Sequence, residues 1–147
     1  MTRRIDFYRI GREALASLGS LETYLRSSTL DRALLELVKV LASKINGCTF
    51  CVTGHTTAAR ARGESEERIA ALALWRSSPL FTDSERAVFA WTDAVTRIES
   101  GAMGDHLYEQ LRASYSEKEV IDLTFVINAI NCWNRLHIAF DTQIKAH

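Results

Sequence analysis

The stretch DRALLELVKVLASKIN, residues 31–46, decides the fold. Leu34, Leu37, Val38, Leu41 and Ile45 recur at helical spacing and form one stripe. Ala33, Leu35, Val40 and Ala42 widen that stripe over most of the circumference, so the helix must be enclosed by others and stands at the centre of a bundle. Asp31 opens it and Gly47 interrupts it. Upstream, Ile10, Ala14, Leu18, Leu21 and Leu25 trace an earlier helix that fades in Ser27-Ser28-Thr29. Downstream, a helix carries Cys48 and Cys51 to about Arg62, with Gly63 at its C′ position. Another spans roughly Glu66 to Trp75 and stops before Pro79, which disfavours helical geometry at Ser78. Thr82-Asp83-Ser84-Glu85 has capping-box spacing and leads a helix to about Glu99. Ser116-Glu117-Lys118-Glu119 repeats the device and opens a long last helix through Phe140, after a short one from Asp105 to Ala113. One proline and seven glycines leave little punctuation, and the expected class is all-α.

Composition bounds the function. The chain has 147 residues, 47% of them hydrophobic and 24% charged, which fits a single domain over residues 1–147 without repeats or linkers. A chain of this length buries roughly 68–70% of its unfolded surface, so its core needs no disulfide or metal. Eighteen basic residues balance eighteen acidic ones, and the longest basic run is Arg3-Arg4, which removes the electrostatic case for nucleic acid or anionic membranes. The N-terminal residues contain no apolar h-region, and no stretch approaches the length of a membrane span. A cytoplasmic location is therefore expected. In such a compartment Cys48-Thr49-Phe50-Cys51 reads as a redox or metal motif rather than a staple.

At 100° per residue, Cys48, Cys51, Val52, His55, Ala58, Ala59 and Arg62 fall on one face of their helix. Cys51 and His55 stand at i and i+4, and the imidazole can take the thiol proton. The helix N-terminus also stabilises a thiolate, and it favours Cys48 where the histidine favours Cys51. Two bland or metallic alternatives use the same residues: inert buried thiols, or three zinc-type ligands in search of a fourth. No second CxxC or HxxxH completes a structural zinc site, and no metal or cofactor is expected.

Glu36, Cys48, Cys51 and His55 are spaced E-x11-C-x2-C-x3-H. With Ala42 to Gly47 before the motif, His55 to Arg60 and Gly63-Glu64 after it, and Trp75, Phe89 to Trp91, Phe125 to Asn131 and Asn134-Arg135 further on, this resembles the AhpD-like alkylhydroperoxidases of the carboxymuconolactone decarboxylase superfamily. The resemblance covers nearly the whole chain and is to the single-domain branch. It implies an AhpD-like helical bundle of about six to seven helices, usually oligomeric. It also implies a CxxC pair that reduces alkyl hydroperoxides or exchanges disulfides, with Cys51 peroxidatic, Cys48 resolving, and His55 and Glu36 relaying protons. The implied partners are a hydroperoxide substrate, an external dithiol reductant borne by a lipoyl or thioredoxin-like protein, and further copies of the chain. The alternatives are a non-redox decarboxylase-like enzyme, and a redox-sensing or zinc-binding oligomeric scaffold.

Glu36 lies nearly opposite the main apolar stripe, and the resemblance implies that the Glu36, Lys39 and Ser43 side faces the cysteine helix or a neighbouring subunit. Phe50 stands where relatives often carry tyrosine or histidine, so a polar atom is missing there. Cys132 is expected to be a buried core thiol, and His106 and His147 to face solvent. Trp75, Trp91 and Trp133 are expected in core or interface, and Arg62 to be solvated or salt-bridged. The all-round apolar helix at 31–46 and the run Ile121 to Ile130 predict a homo-oligomer.

Overall fold

A computed structural model describes residues 4–140, and among them eight α-helices and no strand occur. The helices are α1 (Phe7–Ile10), α2 (Arg12–Leu25), α3 (Arg32–Asn46), α4 (Thr49–Ala61), α5 (Glu66–Ala71), α6 (Asp83–Thr96), α7 (Asp105–Arg112) and α8 (Glu117–Ala139). The all-α expectation holds, with one more helix than anticipated. Gly11 divides the first expected helix: its N–H donates to the Phe7 carbonyl at 2.8 Å, and a Cβ at this position would lie 2.8 Å from that same oxygen. Ile10 therefore ends α1 and is 64% exposed rather than sharing a stripe with Leu18 and Leu21. The expected helix at 66–75 tightens into a 3₁₀ turn at Leu72–Leu74, and α6 ends at Thr96 before another at Ile98–Ser100.

α3 occupies the centre. Every residue from Leu34 to Val38 is buried, as are Val40 to Ser43, enclosed by α4, α6 and α8. Burying its leucines and valines contributes roughly 1.5–3 kcal/mol each before entropy is counted. The Asp31 carboxylate accepts the Leu34 N–H at 2.7 Å and fixes the start of α3. Both capping boxes form, at Thr82/Glu85 on α6 and Ser116/Glu119 on α8.

The other end of α3 determines where the site sits. Gly47 has φ +72, and the Cys48 N–H returns to the Ser43 carbonyl at 2.9 Å. This is the Schellman arrangement, whose left-handed residue costs least at glycine. The chain reverses there and starts α4 immediately, so α3 and α4 form a tight antiparallel pair. Side-chain amides hold the corner to α8: Asn46 donates to Asn131 and Asn134, both at 2.9 Å, and Asn134 donates to Ser43 at 3.0 Å. Asn131 also donates to Thr96 of α6 at 3.1 Å. Asn131, Asn134 and Ser43 are buried and satisfied, which makes this network a specific lock rather than a cost.

Candidate active site

The corner delivers Cys48 to the N-cap of α4, where its Sγ accepts the Cys51 N–H at 3.4 Å. The two cysteines are joined as a disulfide with Cα atoms 5.3 Å apart. They pack with Ala42, Ile130 and Trp133 as a small apolar cluster. Their exposures differ. Cys48 is fully buried, while Cys51 is 6% exposed and lines a cavity of about 480 Å³. Gly54 and Ala58 leave its floor low beside Cys51, and Phe50, Ile130 and Trp133 supply apolar wall.

His55, one turn beyond Cys51, lines the same cavity, and its Nδ1 lies 2.8 Å from Oε2 of Glu36 on α3. A carboxylate at that distance accepts from Nδ1–H, which leaves Nε2 as the ring atom free for proton transfer. Glu36 is buried, and burial by itself pushes its carboxyl upward. The hydrogen bond from His55 and the charges of Lys39 and Arg62, each 3.5 Å away, outweigh burial and hold it below its ordinary 4.5.

The sign of this shift makes a prediction. A depressed carboxyl stabilises the fold above the unfolded value of 4.5, and that contribution fades as pH falls through the folded value. Glu36→Gln should flatten the acid limb of a Tm-against-pH profile below about pH 4.5. An acid limb identical to that of the unaltered protein would show that these contacts add nothing to stability.

Glu36, Cys48, Cys51 and His55 are thus brought together, and Glu36 faces the cysteine helix as expected. Ser43 does not share that side, because it turns to Asn134 on α8. Arg62 is salt-bridged, as expected, and its partner is Glu36. His106 is exposed, and His147 lies outside the described residues. Trp75 is buried in the core, and Trp91 is half-buried with its indole N–H on Thr124. Trp133 packs against the small core cluster, as expected, and also lines the cavity, where its indole N–H meets Glu22 at 3.2 Å.

Cys132 is a correction. It is exposed, not buried, because α8 turns Asn131 and Asn134 inward and leaves Cys132 on the outer face, against a groove between α8 and α1–α2. His137, which the sequence offers only as a poorly placed i+5 neighbour of Cys132, belongs to the site. It is buried in the cavity wall, its ring centroid 4.4 Å from that of Phe50 and its Nε2 3.3 Å from the Tyr8 hydroxyl. Its one local mark toward the site is the i, i+4 spacing from Trp133. Among the described residues no group of three or more His, Cys, Asp or Glu side chains could hold a metal ion.

The carboxymuconolactone decarboxylase family profile matches residues 12–94. The chain belongs to this family. As an AhpD-like carboxymuconolactone decarboxylase family member, it is 37% identical over 143 residues to YdfG of Bacillus subtilis strain 168, covering 97% of both chains. Its fold superposes with a TM-score of 0.92 on an Agrobacterium tumefaciens protein of unknown function for which an AhpD-type antioxidant defence role has been suggested. That similarity is 40% identity over 99% of this chain and 100% of the other. The debrominase Bmp8 shares the fold at 20% identity and TM-score 0.82, over 92% of this chain and 73% of Bmp8.

Proposed function

We propose that this family member is a CxxC-dependent peroxidase that reduces alkyl hydroperoxides and is returned to the dithiol by an external reductant. The observation that carries the reading is the asymmetry of the pair. Cys51 faces a cavity beside a histidine held by a buried carboxylate, while Cys48 lies beneath it at a helix N-cap. In the reduced protein His55 takes the Cys51 proton, and the thiolate attacks the terminal oxygen of the hydroperoxide. The O–O bond breaks, the sulfur becomes a sulfenic acid, and protonated His55 returns its proton to the leaving alkoxide. Cys48 then displaces water from the sulfenic acid and forms the disulfide. In the return half-cycle the reductant attacks the reachable sulfur, Cys51. Cys48 leaves as a thiolate stabilised by the N–H groups that open α4. A lipoyl-bearing or thioredoxin-like dithiol in the cytoplasm supplies the two electrons.

A pair bonded within disulfide distance counts against a non-redox decarboxylase and against a zinc site. To test the reading, the dithiol protein is treated with one equivalent of cumene hydroperoxide and its peptides are weighed. Expected are cumyl alcohol in equal amount, the loss of two hydrogens, and a Cys48–Cys51 crosslink. Thiols that survive the peroxide would sink the proposal.

The chain is also read as a homo-oligomer. The all-round apolarity of α3 is used up inside the chain, which removes one of the two grounds for this expectation. The other is narrowed: within the run Ile121 to Ile130, Leu123, Val126, Ile127 and Ile130 are buried, while Ile121 and Phe125 are 53% and 46% exposed, as is Ile138 further along α8 at 38%. Light scattering at micromolar concentration should give a mass of at least two chains, and a strict monomer would overturn this reading.

A further inference from the structure

The cavity above Cys51 adjoins a second of about 240 Å³, and the two share Glu22, Arg26, Glu36 and Lys39. Their characters differ. Apolar side chains wall much of the larger one, whereas Arg26, Arg32, Lys39 and Arg62 set four cationic groups around the smaller against the carboxylates of Glu22 and Glu36. Glu36 is already engaged by His55, Lys39 and Arg62, and Glu22 accepts from Trp133. Arg32 donates to the Arg26 carbonyl. The Arg26 guanidinium itself meets no acceptor among the described residues, although it lines both cavities.

We infer that the site takes hydroperoxides of organic acids, with the carboxylate held by Arg26 in the smaller cavity and the carbon skeleton lying along Phe50, Ile130 and Trp133. A planar guanidinium with free donors matches a carboxylate bidentately. The two acids that share the rim favour a singly charged group over a phosphate, because each further negative charge meets them at close range. Arg26 is exposed, so the attraction is moderate and screened by salt. The inference rests on the peroxidase reading only for the reacting O–O bond; the anion site stands on the lining residues.

The test separates the two. Iodoacetamide labelling of Cys51 in the dithiol protein is followed by peptide mass in the presence of decanoate or methyl decanoate. Decanoate is expected to protect at a concentration at least about tenfold lower than the ester, and rising salt should shrink the gap. Arg26→Gln should remove most of the preference, while Arg12→Gln, an equal charge change on the outer face of α2, should leave it intact. Equal protection by acid and ester, no protection by either, or a preference that survives Arg26→Gln would overturn the inference. In turnover, an unsaturated fatty acid hydroperoxide should exceed its methyl ester in kcat/KM by a similar factor. Should neither hydroperoxide be consumed while decanoate still protects, the peroxidase reading fails and the carboxylate site remains.

Discussion

Cys51→Ser is expected to abolish hydroperoxide turnover, a loss of about 10³-fold or more, because a hydroxyl cannot replace the thiolate as nucleophile at neutral pH. Cys48→Ser should behave differently. Its Cys51 still faces the cavity and His55, so one equivalent of peroxide should be consumed at close to the normal rate, after which the enzyme stops. The arrested species is a Cys51 sulfenic acid, which dimedone traps and mass spectrometry detects. Both substitutions are nearly isosteric in a small packed cluster with Ala42, Ile130 and Trp133, so the helical circular dichroism should be preserved. The reverse pattern, a burst from Cys51→Ser and silence from Cys48→Ser, would exchange the roles of the two sulfurs. Unchanged turnover in both would leave the pair as a passive reporter of oxidation.

His55→Ala should slow peroxide reduction at neutral pH by about 10²–10⁴-fold, the usual weight of a positioned acid–base group. The loss should shrink as pH rises toward 8.5, because the thiol then ionises without help. Glu36→Gln should cost less, on the order of 10–100-fold, since it removes the group that orients the imidazole and not the imidazole itself. Its carboxyl is buried against His55, Lys39 and Arg62, so an amide would also leave two cations without their counter-charge. Stopped-flow rates against pH for the three proteins distinguish these roles. Superimposable profiles for the unaltered protein and His55→Ala would exclude the histidine from the proton path.

Much of this site was legible along the chain because its geometry is local. Cys48, Cys51 and His55 lie within three turns of one helix, and helical spacing alone puts them on one face. The start and end of α3 were equally legible from Asp31 and Gly47, whose backbone requirements are short-range. What stayed hidden depends on which helix packs against which. Arg26 follows the end of α2, and Trp133 and His137 come from α8, all more than twenty residues away from the cysteines, and nothing near them in the chain marks a cavity wall. Cys132 was misplaced for a related reason. α8 carries apolar residues around most of its circumference, so periodicity does not say which side meets α3, and the buried amides of Asn131 and Asn134 decide it. The break at Gly11 was concealed by apolar residues on both sides of it.

The tight reversal at Gly47 also sets a phase relation between two rods. Glu36 stands nearly three turns before the corner and His55 about two turns after it, yet their side chains meet at 2.8 Å. One residue added or removed between them would rotate either partner by about 100° and carry it to another face. A flexible loop would absorb such a change, but a left-handed glycine locked by buried amides has no slack to absorb it. The spacing from Glu36 to His55 is therefore a mechanical tolerance of the protein, as narrow as a tooth count in a pair of gears.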